Sequence, residues 1–235
     1  CTLDSDDVWL PEFVENAVKH MLNYNLDLFF SNWKREKTPS HNLLNDYKYS
    51  FLEKETETET YIFRDKDIKP YLLDHCIFPS SSMIIRKSSL LKAWDDNIKV
   101  CDDWDFIINL LLGGHLKNIG CTPKAYWIKY ANNDNVCDSR ADLEFLNKIE
   151  GDYKLMFEKY RSNFTPKNTE SFNTLLTEVK IRKTYTLLKN KPLQGLDSFF
   201  TKDLLSLHYY KVVLDNFSRI FNKKMKKWFF CIKEF

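Results

Sequence analysis

The chain has 235 residues, 43% of them apolar and 29% charged, with a formal net charge of +2. That balance is ordinary for a globular protein and excludes a disordered chain. A charge so near zero gives no general attraction for nucleic acid, and no apolar run is long enough to cross a bilayer.

Residues 1–3 read as the end of a buried strand and residues 4–10 as a polar turn, with Pro11 where a helix starts. Phe13, Val14, Ala17, Val18, Met21 and Leu22 then recur at helical spacing to about Tyr24. Residues 26–30 predict a strand. The polar stretch 34–60 ends in alternating Glu with Lys and Thr, and reads as a surface excursion or hairpin because it offers little to bury. A short helix is expected over 68–74, a loop over 78–82, the apolar strand Met83-Ile84-Ile85, and another short helix at Leu90 and Leu91. Residues 101–105 open a helical run that Gly113-Gly114 stops. Short strands follow around 116–119 and 125–128, and this alternation predicts an α/β arrangement. After about Asp138 helical periodicity dominates, broken near 163–168 and 190–195. The chain therefore divides into an α/β domain over residues 1–138 and an α-helical extension over 139–235.

Six cysteines occur without a CxxC pair, which fits neither a zinc framework nor a small disulfide scaffold. They read as reduced thiols in a cytoplasmic protein. The sequence has no signal peptide and no initiator Met, and a beginning inside a domain explains it better than a mature lipoprotein.

Asp4-Ser5-Asp6-Asp7 places three carboxylates on one turn. Such a cluster repels itself unless a positive charge sits among the side chains, and oxygen ligands of this kind suit Mg²⁺ or Mn²⁺ shared with a phosphate. Helix capping accounts for one Asp but hardly for three. A second cluster, Asp102-Asp103-Trp104-Asp105, begins a helix and by itself reads as compensation of the helix dipole.

Taken as a set, Leu-Asp-Ser-Asp-Asp-Val-Trp-Leu-Pro, then Ser-Ser-Ser-Met-Ile-Ile-Arg, then Asp-Asp-Trp-Asp resembles the family 2 glycosyltransferases of the GT-A fold, over about residues 1–130. The resemblance implies a Rossmann-like nucleotide-diphospho-sugar transferase domain, of which this chain holds the C-terminal half and lacks the N-terminal nucleotide-binding half. It implies Asp6 and Asp4 as metal ligands, with Asp4, Asp6 and Asp7 on the donor. Asp103 matches the base that deprotonates the acceptor, with Asp102 beside it, Trp104 beneath the acceptor, and Ser80 and Ser81 on the acceptor-side loop. The family's downstream His is missing, and Lys129 is the candidate to neutralise the donor phosphate. The implied reaction is an inverting, Mn²⁺- or Mg²⁺-dependent transfer from a nucleotide-diphosphate sugar to a saccharide or lipid-linked saccharide acceptor. Its setting would be bacterial surface polysaccharide or lipopolysaccharide synthesis. A glycoside hydrolase would also use two carboxylates, but leaves the acidic triplet unexplained.

The run Lys223-Lys224-Met225-Lys226-Lys227-Trp228-Phe229-Phe230 suits an anionic membrane surface, and equally a basic helix end packed on the core. The first reading places the protein peripherally on the inner face of the plasma membrane. A non-catalytic, membrane-associated scaffold derived from a transferase is the alternative function, and metal-dependent nucleotide binding separates the two.

Overall fold

The computed structural model describes residues 2–5, 7–36, 53–55, 60–76, 79–90, 94–129 and 142–190. The chain divides into two compact units, Cys1–Ser139 with Tyr160–Asn168, and Arg140–Lys159 with Thr169–Phe235.

The first unit is built on a mixed sheet of β1 (Asp7–Trp9), β2 (Leu28–Arg35), β3 (Glu53–Glu55), β4 (Thr60–Arg64), β5 (Met83–Ile85) and β6 (Asn118–Lys129). The order is β3-β4-β6-β2-β5, and β1 pairs with the far end of β6. With it go α1 (Phe13–Asn23), α2 (Asp65–Leu72) and α3 (Asp102–Leu112). A Rossmann-like sheet is mostly parallel, yet β2 and β6 are the one parallel pair among the described strands. The link from β3 to β4 is too short to carry a crossover, so that pair can only be antiparallel.

The parallel pair has a local cause. Both α1 and α3 end in a residue with positive φ, Asn25 at 48° and Gly114 at 74°. Leu26 N–H then bonds Met21 O at 2.9 Å, and His115 N–H bonds Leu110 O at 3.0 Å. These are Schellman ends, which close the last turn and aim the chain away from the helix. Each leads into a strand, and the Asp27 carboxylate ties the starts of β2 and β6 together by accepting Lys117 N–H (2.8 Å) and Asn118 N–H (3.0 Å).

β6 is one strand where two short ones were expected. Its register against β2 slips twice between Ser31 and Trp33, first passing over Pro123 and Lys124 and then over Tyr126. Proline has no N–H to give the ladder, so the bulge falls there, and Asn32 fills the gap by donating to Pro123 O at 3.0 Å. The expected strand at residues 1–3 is absent from residues 2 and 3, and Leu3 is exposed. The strand instead follows the acidic turn, because Val8 and Trp9 register with Ile128 and Trp127. The polar alternation does form a hairpin, with Glu55 opposite Thr60.

One face of the sheet buries Leu28, Phe30, Met83, Ile119 and Cys121 with α2 and α3 side chains such as Ile68, Leu72, Ile107 and Leu111. The other buries Phe29, Ile84 and Tyr126 with Phe13, Ala17 and Met21 of α1. A single 3₁₀ turn at Lys87–Ser89 precedes Leu90, which is not helical, and Leu91 lies outside the described residues.

Two long helices follow, α4 (Leu143–Tyr160) and α5 (Pro166–Asn190). Within the second unit Phe172 packs against Tyr153 and Phe157, and Glu150 accepts ion pairs from Lys154 (2.6 Å) and Lys183 (2.5 Å). The break between the helices falls in the expected region. There Thr165 Oγ1 accepts Asn168 N–H at 3.2 Å, while Asn168 Oδ1 accepts Thr165 N–H at 3.0 Å. This is a capping box with Pro166 as the first helical residue. No described helix is long and apolar enough to cross a membrane. The break near 190–195 and the basic aromatic run 223–230 lie outside the described residues.

Candidate active site

The two acidic clusters meet at one turn. Ser80–Ser82 form a 3₁₀ turn between Pro79 and β5, where Ser82 N–H and Oγ both bond Pro79 O. From this turn Ser80 Oγ donates to the Asp4 carboxylate, 2.8 Å to Oδ1 and 3.0 Å to Oδ2. Ser81 Oγ accepts Asp4 N–H at 3.0 Å. The turn's carbonyls are taken as well: Ser80 O accepts Thr2 Oγ1–H, and Ser81 O accepts the Trp9 indole N–H, each at 2.7 Å. Asp7 N–H closes the acidic turn on Asp4 O at 3.1 Å.

On its other side the same turn faces Asp103. Trp104 N–H bonds the Asp103 carboxylate at 2.7 Å to Oδ1, and the Ser80 N–H dipole favours its charged form. Cys76 Sγ lies 4.0 Å from the same oxygen. Asp103 stands in the first turn of α3, where unpaired helix N–H groups gather. Its carboxyl is nevertheless pushed up to about 7. Burial is the largest cause, the neighbouring Asp102 charge the next, and the more distant Asp4 adds to both. The N–H groups of Trp104 and Ser80 oppose the rise without cancelling it. A half-buried carboxyl facing like charges resists ionisation.

The remaining predicted site residues fall in different places. Asp102 is exposed beside Asp103. Trp104 is buried, and its indole N–H bonds Leu72 O of α2 at 2.5 Å, so it packs in the core between α3 and α2. Asp7 is buried in β1, directly across the ladder from the half-buried Lys129 of β6. Asp6 lies outside the described residues. Sequence reasoning gave no part to Thr2, Cys76 or Tyr160. Tyr160 donates to the buried Asp105 carboxylate at 2.7 Å, and burial together with that bond drives its phenol far above the usual range. No local pattern marks a partner 55 positions away.

Among the described residues, no three His, Cys, Asp or Glu side chains converge on a possible metal position. The donors at Asp4 and at the Ser80 hydroxyl beside it are oxygen. That chemistry fits Mg²⁺ or Mn²⁺, which takes one or two carboxylates from protein and the rest from phosphate and water.

The fold is mixed α/β, compatible with a Rossmann-like domain. No protein-family model matches the sequence. The chain is similar to an uncharacterized glycosyltransferase of Methanocaldococcus jannaschii, with 29% identity over 137 residues. Those residues are 57% of this chain and 42% of that protein, less than half the relative's length. The similarity supports a relationship to glycosyltransferases.

Proposed function

We propose that the chain is part of an inverting glycosyltransferase of the family 2, GT-A type, which moves a sugar from a nucleotide-diphosphate donor to an acceptor hydroxyl. The observation that carries this reading is the Ser80 turn. It bonds Asp4 through its hydroxyl and turns its N–H dipole toward Asp103, so carboxylates 99 positions apart flank one turn.

In the proposed reaction Asp103 takes the acceptor hydroxyl proton. The acceptor oxygen bonds the anomeric carbon from the face opposite the leaving group, the carbon–oxygen bond to the diphosphate breaks, and nucleoside diphosphate departs. A single in-line displacement inverts the anomeric configuration. A carboxylate near 7 is matched to this task, since a base works best with a pKa close to the operating pH. Asp4 and Asp6 would hold Mn²⁺ or Mg²⁺, whose contribution is to stabilise charge developing on the diphosphate. Asp7 and Lys129 lie across from each other at the end of the sheet, where Lys129 supplies positive charge toward phosphate. Ser81 and Asp102 flank the acceptor side. Cytoplasmic action on a lipid-linked saccharide at the inner membrane face is the setting we favour.

The test follows nucleoside diphosphate release by the intact protein from UDP-, GDP- and dTDP-sugars, with Mn²⁺ or with EDTA. Turnover that needs metal, and is lost in Asp103→Asn and Asp6→Ala, is expected. Release that survives Asp103→Asn assigns the base elsewhere. No release and no nucleotide binding with any donor would favour the non-catalytic scaffold.

A further inference from the structure

Asp103 is approached from two directions by one short piece of chain. Two residues after it on α3, the Asp105 carboxylate accepts the Tyr160 hydroxyl at 2.7 Å, and the Asp105 carbonyl accepts the same hydroxyl at 3.1 Å. On the other side, Cys76 touches Asp103, and two residues before Cys76 the Asp74 carboxylate accepts Asn168 Nδ2 at 2.5 Å. Asn168 Nδ2 also donates to Pro70 O at 3.0 Å, and Lys167 Nζ lies 3.5 Å from Asp74 Oδ2. Tyr160 and Asn168 are the two ends of the corner between α4 and α5, and that corner belongs to the same compact unit as Asp103.

All four anchoring groups are buried: Tyr160 is 4% exposed, Asn168 1%, Asp74 3% and Asp105 1%. Apolar side chains would hold a corner on a core without buried polar atoms that each need a partner. Directional bonds do something more, because they fix where an element sits as well as whether it stays. Here they fix the first turn of α3 and the exit of α2, the two segments whose side chains meet at Asp103 Oδ1.

We propose that Tyr160 is a positioning residue for Asp103, acting through Asp105, and that Asn168 provides the second anchor through Asp74. The inference rests on the reading of Asp103 as the base. A general base must lie within hydrogen-bond reach of the proton it takes, and a displacement of about 1 Å costs on the order of a hundredfold in rate. Ser80 and Asp4 bond to Thr2, Ser81 and each other, none of them in the corner, so donor binding is not expected to depend on it.

The test compares Tyr160→Phe, which deletes only the hydroxyl, with wild type and with Asp103→Asn in the intact protein. Tyr160→Phe is expected to lower kcat about tenfold and leave the donor KM within about twofold, as for a group misplaced only toward the transition state. Added to Asp103→Asn, it is expected to cause no further loss, because no base remains to be positioned. Equal kcat for Tyr160→Phe and wild type overturns the inference. So does a multiplicative loss in the Asp103→Asn background, which marks general damage to the fold. If Asp103→Asn itself retains full turnover, the reading of the base fails instead. Asp105→Ala gives an independent arm: combined with Tyr160→Phe it is expected to be no worse than either change alone, and additive losses count against the coupling.

Discussion

The raised Asp103 carboxyl makes the stability of the fold depend on pH. Its ordinary value is 3.8 and the folded value is about 7. A group with a higher pKa when folded binds its proton more tightly in the native state. Its stabilising contribution is therefore complete below 3.8 and is lost as pH rises through 7. Between those limits the native protein holds a proton that the unfolded chain has released, and stability falls by about 1.4 kcal/mol for each pH unit. From about pH 5 to about pH 8 the loss is on the order of 2–3 kcal/mol, most of it complete by neutrality. Asp103→Asn removes the titration and keeps a similar shape. Urea unfolding of both proteins across this range isolates Asp103 and the carboxylates coupled to it, because the remaining groups titrate equally in both. The stability of wild type relative to Asp103→Asn is expected to drop by that amount as pH rises. Activity should move the other way, with kcat/KM falling about tenfold per unit below the carboxyl's value. Parallel pH dependences for the two proteins would refute both the burial argument and the assignment of the rise to Asp103.

Ser80→Ala removes the hydroxyl that both Asp4 oxygens accept. Asp4 is exposed, so the stability cost is expected to stay below about 1 kcal/mol while half-saturation by Mn²⁺ rises several-fold; an unchanged metal titration would separate Asp4 from the metal. Gly120→Ala places a Cβ 2.4 Å from Leu26 Cδ1, a clash expected to cost about 1–3 kcal/mol in urea unfolding. Adding Leu26→Val, which lacks a δ carbon, is expected to recover part of the loss, and no recovery would place the strain elsewhere. Thr165→Ala deletes one arm of the α5 capping box and is expected to cost about 1 kcal/mol, with Thr165→Ser close to wild type in the same melts.

Much of the local structure was legible because its causes are local. The acidic first turn and the Gly113-Gly114 stop bracket α3, and Met83-Ile84-Ile85 is a strand buried on both faces. The break between α4 and α5 is written in Thr165-Pro166-Lys167-Asn168, a helix start that can be read from the residues themselves. What failed was decided by pairing across the chain. Residues 2 and 3 lie outside the sheet because β1 takes its register from residues 127–129. β6 stayed continuous because β2 runs along its whole length and absorbs Pro123 in a bulge.

The candidate site shows the same division more sharply. Both acidic clusters and the three serines stand out in the sequence, but nothing local says that the serines join the clusters. That junction uses contacts spanning 76 positions on one side and 23 on the other. Nor does a motif fix the direction of each of its side chains. Trp104 lies in the same acidic quartet as Asp103, yet helix geometry gives them different fates. Residues three, four and seven positions after Trp104 are Ile107, Ile108 and Leu111, and all are buried. Trp104 shares their stripe and packs inward, whereas Asp103, about 100° away around the helix, meets the Ser80 turn. Asp105, about 100° to the other side of Trp104, is buried, and a carboxylate there must find a donor. The Tyr160 hydroxyl meets that requirement, and so a residue with no motif of its own is drawn to the first turn that carries Asp103.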